Sequence, residues 1–137
     1  MKNTSYSFCL IFIVVLVSFT SCKKDTIKPV NFDSNTVTAG TWRVSAFHES
    51  QEDHTANFSD YVFTFNTNGT LTATNSGNLT TGTWNFDDSS NEFQLQIGSS
   101  SPLIDISKGW IIMESSSTIL RLSDDSSNGE ELDFTIL

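Results

Sequence analysis

The chain has 137 residues, two cysteines and a formal net charge of −9, from 16 acidic and 7 basic side chains. That length suits one domain around one core, and the acidity excludes a nucleic-acid partner, whose phosphates it would repel. After Lys28 the basic residues are Arg43, Lys108 and Arg121 alone, so the acid excess falls on the later part of the chain, where it favours solubility.

The first predicted element is a leader. Lys2 supplies a positive charge, and Phe8 to Val17 is an unbroken apolar run. The run is well short of the ~20 apolar residues a spanning helix needs, and it suits the apolar region of a secretory signal peptide. Thr20 and Ser21, both small, precede Cys22. An apolar run ending in small residues and then cysteine resembles the lipobox of bacterial lipoproteins, with Phe19 where that family usually has leucine. Ser21-Cys22-Lys23-Lys24-Asp25 is also similar to lipoproteins of the Bacteroidetes type. The resemblance implies a cleaved signal peptide over residues 1–21, cut between Ser21 and Cys22. It further implies acylation of Cys22 and a lipid anchor in the cell envelope, at the outer membrane. Stable anchoring takes two or more acyl chains, which an acylated Cys22 would carry without a spanning helix. Cys9 would leave with the leader, so the mature chain would hold no disulfide. Residues 22–38 are polar, contain Pro29 and show no sustained period; they are expected to be a tether.

From Gly40 the pattern becomes one of short segments with a period of two. Trp42, Val44 and Ala46 alternate with Arg43 and Ser45; Phe63 and Phe65 alternate with Val62 and Thr64. Asn68-Gly69 is expected to form a type I′ hairpin turn. Leu71 and Ala73, Trp84 and Phe86, then Phe93, Leu95 and Ile97 continue the alternation. Ile104 and Ile106 precede Gly109, where a bulge or kink is expected, and Trp110 to Met113 follow. Leu120 and Leu122 flank Arg121, and Leu132, Phe134 and Ile136 close the series. This predicts eight strands, over about 40–48, 59–66, 69–74, 80–87, 92–97, 103–114, 118–123 and 130–136. With no helix to cover its apolar face, such a sheet must close on itself or fold into two layers. The fold expected is all-β, an eight-stranded antiparallel up-and-down barrel over residues 39–137; the alternative is a β-sandwich.

Gly40-Thr41-Trp42 matches the G-x-W that opens the first strand of lipocalins. Phe63 to Leu71 and Gly82-Thr83-Trp84 also look like the lipocalin-like domains of Bacteroidetes lipoproteins. That resemblance implies a cup-shaped barrel for a small apolar ligand. It implies that Trp42 packs at the closed end beneath a late arginine, for which Arg121 is the nearest match. Phe63, Phe65, Trp84 and Phe93 are then expected to line the cup. So many large rings also argue for an interior that is at least partly filled, because an eight-stranded barrel has room for side chains or one small ligand. The competing expectation is a structural or protein-interaction lipoprotein with a filled barrel.

Candidate chemistry is sparse. His48 to His54 gathers both histidines with Glu49, Glu52 and Asp53, but at no standard zinc spacing. Asp87-Asp88-Ser89-Ser90-Asn91 and Asp124-Asp125-Ser126-Ser127-Asn128 repeat the same five letters, which turns favour and which lack the ligand pattern of a calcium loop. No serine sits in a nucleophile elbow. The expectation is a monomeric binding domain with no catalytic residues, no metal and no cofactor.

Overall fold

Alternating apolar and polar side chains do build a closed barrel in the computed structural model, which describes residues 30–124 and 129–137. The strands are β1 (Thr41–Glu49), β2 (Glu52–Asp53), β3 (Tyr61–Phe65), β4 (Thr70–Asn75), β5 (Asn78–Asp87), β6 (Glu92–Gln96), β7 (Gly109–Ser115), β8 (Ile119–Ser123) and β9 (Glu131–Ile136). Each long strand pairs antiparallel with the next, and β9 returns to β1. Trp42 therefore faces Phe63 of β3 on one side and Ile136 of β9 on the other. Closure pairs each long strand with a neighbour on both sides, although β1 and β3 share only two residue pairs. The eight long strands are the eight read from the sequence, and the sandwich alternative is excluded. The short β2 is a hairpin extension of β1.

The period of two fixes which side chains point inward. On β4, Leu71 and Ala73 are buried while Thr70, Thr72 and Thr74 face out; on β8, Leu120 and Leu122 are buried around an exposed Arg121. The interior contains only apolar side chains among the described residues. Trp42, Trp110, Phe47, Phe58, Phe63, Phe65, Phe93 and Phe134 are its largest members, each all but inaccessible. The rings meet mainly edge to face, as between Phe65 and Phe134 at 5.6 Å or Phe63 and Phe134 at 5.3 Å.

Both mouths are plugged. At the mouth where β1 begins, helix α1 (Ser34–Thr38) inserts Val37, which is fully buried, and Val30 and Phe32 pack on the core beside it. At the opposite mouth, two 3₁₀ turns, Thr55–Phe58 and Ile104–Ile106, insert Phe58 and Ile106. Two indole N–H groups tie these plugs down. Trp42 donates to the carbonyl of Val37 at 2.8 Å, and Trp110 donates to the carbonyl of Ile106 at 3.0 Å.

Four local expectations need correction. Residues 30–38 are not tether: they form the plug at the first mouth. Residues 1–29 lie outside the described region. Asn68-Gly69 is not a type I′ turn, because of the two only Gly69 has a positive φ. The last β3–β4 pair is Phe65↔Leu71, so the connection is longer than two residues, and Asn68 instead accepts from the backbone N–H of Thr70 at 3.0 Å. The two-residue turn is Ser76-Gly77, both with positive φ, between the paired Asn75 and Asn78. The predicted strand over 103–114 starts only at Gly109, since Ile104–Ile106 leave the sheet to plug the mouth. Gly109 is no bulge either. The register of β7 shifts between Ile112 and Glu114, while a Cβ at Gly109 would collide with the side chains of Glu92 and Gln94.

A prediction follows from the indole bonds. Trp42→Phe keeps a buried ring but strands the Val37 carbonyl, and should cost about 1–3 kcal/mol. Trp42→Ala also opens a cavity, and should cost about 3–5 kcal/mol, a large part of the ~5–15 kcal/mol such a domain has. Denaturant melts of the two variants beside Trp110→Phe and Trp110→Ala check both magnitudes.

Candidate functional site

The filled interior redirects attention to the rim. Of the four residues expected to line a cup, Phe63, Phe65 and Phe93 are completely enclosed. They serve as packing. Trp84 differs: it retains 8% of its surface. Its ring stacks on Phe93 at 5.4 Å, meets Phe65 edge-on at 5.8 Å and donates its N–H to the carbonyl of Asn66 at 3.0 Å.

Trp84 forms the floor of an open groove of about 540 Å³ at the mouth plugged by α1. Phe32 and Ser34 supply one wall, Thr67 and Gly69 of the β3–β4 connection a second, and Asn85, Phe86 and Asp88 the third. The groove exists because the chain before α1 lies back against β5. Phe32 packs on Phe86 with centroids 4.5 Å apart and meets Phe93 edge-on at 5.6 Å. Gly69, at φ 82°, lets its carbonyl turn to accept the backbone N–H of Trp84 at 2.9 Å. Asp87 folds the far corner: its carboxylate accepts from the Ser89 hydroxyl at 2.6 Å and the Ser89 backbone N–H at 2.9 Å, which holds its pKa below the usual carboxylate value. The acid repeat is thus turn chemistry here; residues 125–128 of the second copy lie outside the described region. Sequence reasoning missed Phe32, because a single ring in a polar stretch has no period to reveal it.

The barrel-closing set separates. Gly40 precedes β1 and Trp42 lies at its start, and a Cβ at Gly40 would come within 2.6 Å of the Ile136 side chain. Arg121 does not cover Trp42. Its place between two inward leucines turns it to the outer wall, where it binds Glu114 at 2.7 Å and Asp133 at 3.1 Å. The backbone of α1 caps Trp42 in its stead. Ser21 and Cys22 lie outside the described residues.

The histidine segment is a hairpin, turned at Ser50 and Gln51 with positive φ at both. His48 approaches Glu131 at 3.9 Å and His54 approaches Glu52 at 3.7 Å, so the two rings face different carboxylates. Among the described residues no group of three His, Cys, Asp or Glu side chains gathers to hold a metal ion. Lys108 is built into the opposite mouth. Partial burial lowers its pKa, but hydrogen bonds to Asp124 at 2.8 Å and to Glu130 outweigh that and raise it. Its ammonium also lies 4.5 Å over the Trp110 ring.

Similarity to known proteins bears on the fold. The chain is similar to the crystal structure of a DUF4847 family protein from Bacteroides vulgatus, with a TM-score of 0.54 and 15% identity. The match covers 72% of this chain and 93% of that one. At that identity the likeness speaks for the barrel alone. No family model and no curated protein matches the chain.

Asp53 gives a pH prediction at the plug. Hydrogen bonds from Thr55 hold its carboxylate below the ordinary value of 3.8, and the Thr55 N–H bond is 2.9 Å. A depressed pKa stabilises the fold at pH above the unfolded value, and that contribution disappears as pH falls through the folded value. The amide signal of Thr55 should therefore titrate with a midpoint below 3.8, measured by NMR as the acid limb is scanned.

Proposed function

We propose that this protein is a lipid-anchored binding module of the bacterial cell envelope whose ligand, a small and largely apolar molecule, sits in the groove at the plugged mouth. One observation carries the reading. Eight fully buried aromatic rings fill the barrel, while Phe32, Trp84 and Phe86 border an open groove of about 540 Å³. Ligand sites commonly occupy about 300–1,000 Å³ and combine aromatic walls with a few polar groups. Ser34, Thr67, Asn85 and Asp88 supply such groups. The anchor rests on the Phe8–Val17 run and the small residues before Cys22.

N-phenyl-1-naphthylamine tests the groove. The purified chain should bind it saturably, and Phe86→Ala should weaken that binding several-fold in protein that circular dichroism shows still folded, with some loss of melting temperature because Phe86 also packs on Phe32. Absence of saturable binding would replace this reading with a structural or protein-interaction role for the outer wall.

The anchor has its own test. Cys22→Ala should abolish metabolic labelling with an alkyne fatty acid and leave an uncut precursor. Labelling that survives the substitution would refute anchoring through Cys22.

A further inference from the structure

The described residues include three cations, Arg43, Lys108 and Arg121, and two of them are saturated by carboxylates. Lys108 is held between Asp124 and Glu130, and Arg121 between Glu114 and Asp133. Arg43 differs. No carboxylate lies within ion-pair distance of it among the described residues, and its Nε donates only a long bond, 3.4 Å, to the Thr135 hydroxyl. In a chain with 16 acids and a net charge of −9, a guanidinium left without an acid is a local exception.

Its surroundings explain the exception. β1 and β3 share two pairs, Thr41↔Thr64 and Trp42↔Phe63, and then part. The strand bulges where its register against β9 shifts between Val44 and Ala46, so Ser45 drops out of the ladder. The 3₁₀ turn Thr55–Phe58 lies against β1 beyond this point, pinned by Phe58 in the core and by the Phe47 N–H donating to the Thr55 hydroxyl oxygen at 2.8 Å. A groove of about 320 Å³ remains between strand and turn, lined by Arg43, Val44, Ser45, Thr55, Ala56 and Ser59. Val44 and Ala56 give it apolar surface. Arg43 gives it a forked donor matched to a carboxylate. The Ser45 hydroxyl is engaged with the Asp133 carbonyl at 3.3 Å, and the Thr55 hydroxyl accepts from the Phe47 N–H and donates to the Asp53 carboxylate, so the free donor of the groove is Arg43.

We propose that this groove is a second binding site, for a small organic carboxylate: the anion on the Arg43 guanidinium, a short hydrocarbon body over Val44 and Ala56. A monoanion suits one guanidinium on a strongly acidic protein. A dianion such as phosphate meets the same single cation and twice the repulsion from the surrounding charge. The carboxylate of Asp133, near in the strand pairing, does not compete, because Arg121 already holds it.

Butyrate, 1-butanol, n-butylammonium and inorganic phosphate form the test, titrated into the full chain while NMR follows the Arg43 Nε–H and the Ala56 methyl. Butyrate should shift both signals saturably with a common affinity, and 1-butanol and n-butylammonium should not. Arg43→Gln should lower butyrate affinity at least about tenfold, the scale of one charge-assisted pair, with the remaining spectrum unchanged. Arg43→Lys, which keeps the charge and loses the fork, should fall between. The proposal is overturned if butyrate produces no saturable shift, if the alcohol or the amine binds as well, if phosphate binds more tightly, or if Arg43→Gln retains wild-type affinity.

Discussion

Two indole N–H groups set the terms for this barrel. A buried donor without an acceptor costs on the order of 1–3 kcal/mol, so a tryptophan inside an apolar interior must bring a carbonyl in with it. Neither Trp42 nor Trp110 finds that carbonyl on the ladder. Trp42 takes it from α1 and Trp110 from the 3₁₀ turn at Ile106, one at each mouth. Each bond draws a plug across an opening, and each plug brings its own apolar side chain, Val37 or Ile106, into the core. Occupied ends and a ring-filled centre are thus one arrangement. The interior holds no polar side chain among the described residues, and the third indole of the core, Trp84, likewise bonds to a backbone carbonyl, that of Asn66.

The strands were legible because the barrel depends on alternation, and alternation is visible residue by residue. Leu120-Arg121-Leu122 or Phe93-Gln94-Leu95 admit one assignment of inside and outside. The plugs were not legible, because a plug has no period. Val37 among Ser34, Asn35, Thr36 and Thr38 looks like a polar linker until the indole N–H that needs its carbonyl is in place. The same blindness extended Ile104–Ile106 into a strand, since two isoleucines separated by an aspartate read as alternation whether or not they pair. Arg121 went wrong for a different reason. The motif resemblance places an arginine late in the chain, whereas the leucines on either side turn this side chain to the outer wall.

The candidate groove was only half legible. Trp84 stood out through its ring and the Gly82-Thr83 before it, and a Cβ at Gly82 would indeed collide with the backbone of Gln96 and Ile97. Phe32, which makes the groove a groove, belongs to the plug and shared its invisibility. The fold by itself assigns no ligand, since barrels of one architecture serve many purposes. What distinguishes this one is that its aromatic surface reaches solvent at the rim, through Phe32 and Phe86, and not along an inner wall.

The plug at the first mouth has a mechanical meaning. The described residues begin at Val30, pass through α1 and only then become β1. A pull along the preceding chain therefore meets Phe32 and Val37, and the single Val37–Trp42 bond, before it loads the strand pairs of β1 with β3 and β9. These contacts lie in series and yield one after another, whereas the ladder behind them shares its load over many bonds. The short N-terminal segment would thus act as a fuse: tension uncaps the Trp42 end and exposes the ring contacts of Phe32 while the closed sheet stays intact.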